Sequence, residues 1–147
     1  MSVIKRFLTI CAVMLLFPGC VGFHYQWHHA NLKAGQTNIQ SIEGLWTGSW
    51  QSAHGNHNGK LRCVIRKQSS DTYTFFYRAT WARVITGNFK INCKAQNEDG
   101  NWNFSGTKDL GILGGKFFHT GTATSNAIQA RYRSEKGDTG TFTLSRP

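Results

Sequence analysis

The sequence predicts an all-β fold for residues 43–147: a single antiparallel up-and-down β-barrel of about eight strands. Two observations carry this. Large apolar residues alternate with polar ones in run after run, and the runs are short, broken by Gly, Asn, Asp and Ser. No ten-residue segment after Gly44 has a helical period. An open meander would leave two exposed edges, and closing it removes them. A two-sheet sandwich is the alternative; in both, one face of every strand is buried.

The first strand signal, about Leu45 to Gln51, sets Trp46, Gly48 and Trp50 on one face, and Asn56-His57-Asn58-Gly59 breaks the chain. Lys60 to Lys67 sends Leu61, Cys63 and Ile65 one way and Arg62, Val64 and Arg66 the other. Thr72 to Trp81 puts Tyr73, Phe75, Tyr77, Ala79 and Trp81 on one face, with Phe76 and Arg78 opposite. Asn88 to Ala95 sets Phe89, Ile91, Cys93 and Ala95 against Lys90, Asn92 and Lys94. Asn101 to Thr107 offers Trp102, Phe104 and Gly106, and a glycine-rich loop follows at Leu110 to Gly115. Lys116 to Ala123 has an ambiguous phase, because Phe117 and Phe118 are adjacent. Ala127 to Arg133 faces Ile128, Ala130 and Tyr132 inward; Thr139 to Arg146 carries Phe142 and Leu144.

The N-terminus reads as an export leader. Lys5 and Arg6 precede an apolar run from Phe7 to Phe17, which is 11 residues long, too short to span a bilayer and suited to a signal peptide. Leu16-Phe17-Pro18-Gly19-Cys20 resembles a lipobox, in which the cysteine is acylated and becomes N-terminal. This division gives a lipoprotein signal peptide (1–19), a lipidated Cys20 with a polar tether (20–42) and the barrel (43–147), in a bacterial cell envelope. The tether shows no clean period. Its His24, His28 and His29 could bind a soft divalent metal, which the i, i+4 spacing of His24 and His28 on a helix would suit, but nothing else there marks a helix; no metal and no cofactor are expected.

Of the four cysteines, Cys11 leaves with the leader and Cys20 takes the lipid. Cys63 and Cys93 remain as an even, inward-facing pair in an oxidising compartment, and a disulfide between them is expected. Strands two apart lie roughly 9–10 Å from each other, whereas a disulfide needs Cα atoms within about 7 Å. Barrel curvature would have to close that gap.

Gly44-Leu45-Trp46 resembles the Gly-x-Trp that opens the first strand of calycins, the lipocalin, fatty-acid-binding protein and avidin superfamily. The short chain and its Asp138-Thr139-Gly140-Thr141-Phe142-Thr143 ending look most like the avidin branch. The resemblance implies that Trp46 closes one barrel end against a basic side chain, for which Arg131, Arg133 or Arg146 would serve. It does not bring biotin binding, because Gly48 stands where avidins carry an Asn ligand.

Function is less legible. Trp50, Tyr73, Tyr77, Trp81 and Tyr132 would line a mouth for a small apolar or aromatic ligand, with Gly48, Ala79, Gly106 and Ala130 leaving room. Without the leader, 15 cations face 7 acids, a side-chain charge of +8. That favours an anionic envelope component, with no specific nucleic-acid signal. Arg62, Val64, Phe76, Arg78, Lys90 and Lys94 form the expected partner surface, an apolar centre inside a basic rim. No catalytic pairing is apparent among His54, His57, His119 and the acids, which mostly sit in turns. The expectation is a membrane-tethered, non-enzymatic barrel. A basic-surface interaction module and an enzyme on a calycin scaffold are the alternatives.

Overall fold

The computed structural model describes residues 19–32 and 40–147. The expected leader up to residue 18 and residues 33–39 of the expected tether lie outside the described residues. A helix, α1 (Gly19–Leu32), precedes eight strands: β1 (Gly44–Ser52), β2 (Asn58–Lys67), β3 (Thr72–Trp81), β4 (Ile85–Glu98), β5 (Asn101–Asp109), β6 (Lys116–Ala123), β7 (Ala127–Ser134) and β8 (Thr139–Ser145). A single helical turn, α2 (Gly111–Gly114), sits between β5 and β6. The strands pair antiparallel in sequence order, and β8 returns to β1 to close the barrel.

Closure demands close backbone approach where strands cross. A Cβ on Gly48 would lie 1.9 Å from the Thr143 carbonyl oxygen, so only glycine fits beside β8. The space expected at Gly48 is therefore filled by backbone. At Gly106 likewise, a Cβ would lie 2.4 Å from the Asn92 carbonyl oxygen.

Because connections alternate, the β1–β2, β3–β4, β5–β6 and β7–β8 loops share one end of the barrel. The other end holds the remaining turns, Ile42 and the C-terminus. That second end is shut. The Trp46 indole is fully buried and donates from Nε1 to the Ile42 carbonyl at 2.9 Å. Of the three arginines considered for this place, Arg146 takes it, with its guanidinium carbon 4.0 Å from the Trp46 ring centre.

Strand β4 begins at Ile85, three residues earlier than the alternation indicated. The β3–β4 connection is a tight three-residue turn, 82–84: Ala82 and Arg83 both have positive φ, 44° and 69°, and the Val84 N–H donates to the Trp81 carbonyl at 3.1 Å. The phase of β6 also resolves. Phe117 packs on the core and His119 is fully buried, while Phe118 lies outside under Arg133.

Two expectations are corrected. The stretch read as a tether without helical structure contains α1. Phe23, Trp27 and Ala30, spaced i, i+4, i+7, form a stripe too narrow to stand out among histidines. Tertiary packing stabilises the helix: Phe23, Leu45 and Val64 form a buried cluster flanked by Trp27, Ala30 and Phe76. The expected disulfide is absent, and Cys63 and Cys93 are free, buried thiols. Cys63 pairs with Tyr77 across β2–β3, while Cys93 pairs with Tyr73 across β3–β4. The two therefore stand opposite different residues of β3, four apart in register.

Candidate functional site at the open end of the barrel

The lumen is filled with rings. Tyr77, fully buried, stacks on Phe89 with centroids 4.9 Å apart and meets Phe142 at 5.2 Å and His119 edge-on at 5.4 Å. Phe75 packs on Phe104 at 4.8 Å one layer lower. Two solvent-open hollows of about 430 and 420 Å³ lie outside this core, one beside Gln40 and Asn97, the other on the outer wall of β6–β8.

One polar chain crosses the core. The Tyr77 hydroxyl lies 2.8 Å from His119 Nε2 and also bonds the Cys63 thiol. Burial pushes the imidazole pKa down to about 4, against an opposing pull from the Arg131 backbone. Burial likewise raises Tyr77 and Cys63 well above their ordinary values and lifts Cys93 to about 12. At neutral pH both thiols are protonated and the imidazole is uncharged. In that state the thiols are poor nucleophiles, and the network is incomplete, because His119 Nδ1 is buried without a hydrogen-bond partner among the described residues. The period-2 pattern could have revealed His119: the phase that places Phe117, His119, Gly121 and Ala123 inward sends Lys116, Thr120 and Thr122 to solvent.

Toward the loop end Trp81, Phe89 and Phe117 become half-buried, while Trp50 and Tyr132 stay buried. Trp50 and Trp81 meet in a T at 5.7 Å, and the Trp50 Nε1–H donates to the Thr80 carbonyl at 3.1 Å. The Trp81 indole lies against Gly87, where a Cβ would come within 2.7 Å of it. Phe117 stacks on Tyr132 at 5.5 Å and touches Phe89 at 5.9 Å. Trp81, Phe89 and Phe117 are each part-exposed and packed on the core. One corner of this mouth is polar: the Ser52 hydroxyl donates to Asp138 Oδ1 at 3.2 Å, and Tyr132 bonds both residues. Burial, followed by the Asp138 charge, raises the Tyr132 pKa.

The structure thus brings Trp50, Trp81 and Tyr132 to one mouth and sets Tyr77 beneath it. Tyr73 belongs elsewhere: it packs on Trp102 at 5.5 Å toward the closed end. Phe89 and Phe117 complete the rim.

The apolar centre of the expected partner surface is covered by the chain itself. Val64 is fully buried and Phe76 packed beneath α1. Arg62 lies 5.3 Å over the Trp27 ring, and Arg78 6.0 Å over Phe23. Arg62 and Arg78 thus meet the helix by cation–π contacts, while Arg62, Lys90 and Lys94 stay exposed to solvent. Of the two lysines, Lys94 pairs with Asp71 at 2.7 Å, and Lys90 depresses the pKa of the part-buried Lys108 secondarily to burial. In α1, His29 packs on Tyr25 at 4.3 Å. Among the described residues no group of three His, Cys, Asp or Glu is placed to hold a metal ion, and no helix is long and apolar enough to cross a membrane.

No protein-family model and no curated protein matches the chain. Similar solved structures include a de novo designed fluorescence-activating β-barrel, 11% identical, with a TM-score of 0.52 over 74% of this chain and 96% of that one. A redesigned β-barrel, mFAP1, bound to DFHBI, is 18% identical, with a TM-score of 0.51 over 74% of this chain and 97% of that one. Likeness at these identities establishes the fold: a closed eight-stranded antiparallel barrel.

Proposed function

We propose that this protein is a non-enzymatic binding domain of the bacterial envelope, anchored to a membrane through lipid on Cys20. It takes a flat apolar ligand at the loop end of the barrel. The carrying observation is the half-buried ring surface of Trp81, Phe89 and Phe117 above a filled lumen, with the opposite end closed by Trp46 and Arg146. A ligand would lie against the rim and not deep in the barrel, with the Tyr132–Asp138 corner offering a hydrogen bond to one polar edge. The calycin-like opening motif fits this reading, as does the DFHBI-bound barrel of the same fold. The protonated state of both thiols argues against nucleophilic chemistry in the core.

Titration with Nile red, a neutral flat fluorophore, tests the mouth. Saturable binding that Trp81→Ala weakens about tenfold, the size expected for losing one large apolar contact, supports it. Equal binding by Trp81→Ala and parent contradicts it. Cys20→Ser tests the anchor separately, with release into the soluble fraction expected.

A further inference from the structure

Among the described residues, four of the six exposed large apolar ones crown this same end of the barrel: Val84 and Ile85 on the β3–β4 hairpin, Leu110 and Ile112 on the β5–β6 loop. Val84 is 81% exposed and Ile112 97%. The remaining two, Tyr25 and Leu32, belong to α1.

These side chains are held out by built loops. The Ala82–Arg83 hairpin turn sets Val84 at a tip. In the other loop Gly111 and Gly115 take positive φ, 67° and 64°, and the Gly115 N–H closes the turn on the Gly111 carbonyl at 2.8 Å. Lys136 reaches across from the β7–β8 turn and donates to the Ile112 carbonyl at 2.9 Å. Isoleucine and valine so fully in water, on two adjacent loops, are costly to solubility and mark a contact surface.

The charges around them are asymmetric. Arg83 precedes Val84, Lys108 and Lys116 flank the Leu110–Ile112 loop, and Lys136 props it. The three acids of this end keep their charge but are held by local donors, Asp109 by the Gly111 N–H, Glu135 by the Lys116 N–H and Asp138 by Ser52, which leaves the four cations one charge in excess. Among the described residues the one salt bridge, Lys94–Asp71, lies at the closed end. Apolar tips ringed by cations suit a surface with an apolar interior and a negatively charged face.

We infer that the loop end docks on an anionic lipid bilayer, with Val84, Ile85, Leu110 and Ile112 entering the headgroup boundary and the neighbouring cations meeting lipid phosphates. The inference depends neither on the lipid at Cys20 nor on a ligand in the mouth. An anchor alone would bring the chain to a membrane without dictating which end faces it. Docking would turn the aromatic mouth toward the bilayer, the source of apolar molecules in an envelope.

Amide hydrogen exchange on the full chain, mixed with phosphatidylcholine vesicles with or without phosphatidylglycerol, tests this. The expected result is exchange slowed about tenfold or more at residues 82–86 and 110–115 on the anionic vesicles, and less on the neutral ones. The turns at 99–100 and 124–126, at the opposite end, should be unchanged. Val84→Asp with Ile112→Asp, both at exposed positions, should abolish the slowing while leaving the strands protected. Slowing that is absent, equal at both ends or unaltered by this double variant overturns the inference. So does slowing that appears without vesicles as protein concentration rises, since the surface would then bind a second copy. Cys20→Ser, mixed with the same anionic vesicles, should keep the slowing at both loops, and its loss there would overturn docking by the loop end itself.

Discussion

The Arg146 guanidinium covers the Trp46 ring at 4.0 Å and donates from Nη1 to the Glu43 carbonyl and from Nη2 to the Ser41 carbonyl, both at 2.7 Å. One side chain from the end of β8 thus fastens the segment that enters β1 and seals the base of the barrel. A planar fork that stacks and donates twice has no equivalent in lysine. Arg146→Ala is expected to lower stability by about 2 kcal/mol, the scale of a part-buried cation–π contact with its hydrogen bonds. Arg146→Lys should recover less than half of that. Urea unfolding followed by tryptophan fluorescence gives both values.

His119 makes stability depend on pH. Its folded pKa is about 4, against an ordinary value of 6.5. Between these values the unfolded chain binds a proton that the folded chain does not, so protonation favours unfolding. Stability should be intact above pH 6.5, fall as the pH drops toward 4 and level off below that. The shift corresponds to about 3 kcal/mol for a buried group. His119→Gln should flatten this part of the profile, measured as denaturation midpoint against pH.

Helix α1 is held by few contacts. Phe23 is its one buried aromatic residue, and it lies over Val64 and under Arg78. Phe23→Ala should release the helix without unfolding the barrel, because the strands close among themselves. Limited proteolysis should then cut within residues 19–40 at least about tenfold faster, the scale of losing a buried phenylalanine contact, while the melting temperature of the barrel changes little.

The β3–β4 hairpin keeps two ordinary residues in left-handed backbone, where each costs roughly 1–2 kcal/mol. Asn and Gly are the residues that adopt such backbone most readily. Replacing Ala82→Asn and Arg83→Gly together should raise stability by about 1–2 kcal/mol in urea titration.

Alternation made the eight strands legible, because a strand with one buried face must repeat every two residues. It also made Trp46 readable as the first core residue and Arg146 as one of three partners for it. Register was legible across β2–β3, where Val64 stands opposite Phe76, but not across β3–β4. Cys63 and Cys93 both face inward, yet their offset of four residues depends also on where the β3–β4 turn closes, and the Ala82–Arg83 hairpin carries no Gly, Asn or Asp to announce itself. The outer wall was misread for a related reason. Val64 and Phe76 were correctly placed outward, but the segment that covers them has only three apolar positions on its docking face. Its histidines and the absence of capping residues hid the helix. At the mouth, Trp50, Trp81 and Tyr132 were found by their phase, while Tyr73 shares that phase at the wrong height.

The five tryptophans give the most direct test of the proposed binding end. Trp50 and Trp81 stand at the mouth, Trp46 and Trp102 toward the closed end, and Trp27 on the covered outer wall. Indole N–H resonances of the ¹⁵N-labelled chain can be followed through a titration with Nile red. Progressive shifts of Trp81 and Trp50, with Trp46, Trp102 and Trp27 still, are the predicted result. Shifts centred on Trp46, Trp102 or Trp27, or no shift at saturating fluorophore, would contradict binding at the open end of the barrel.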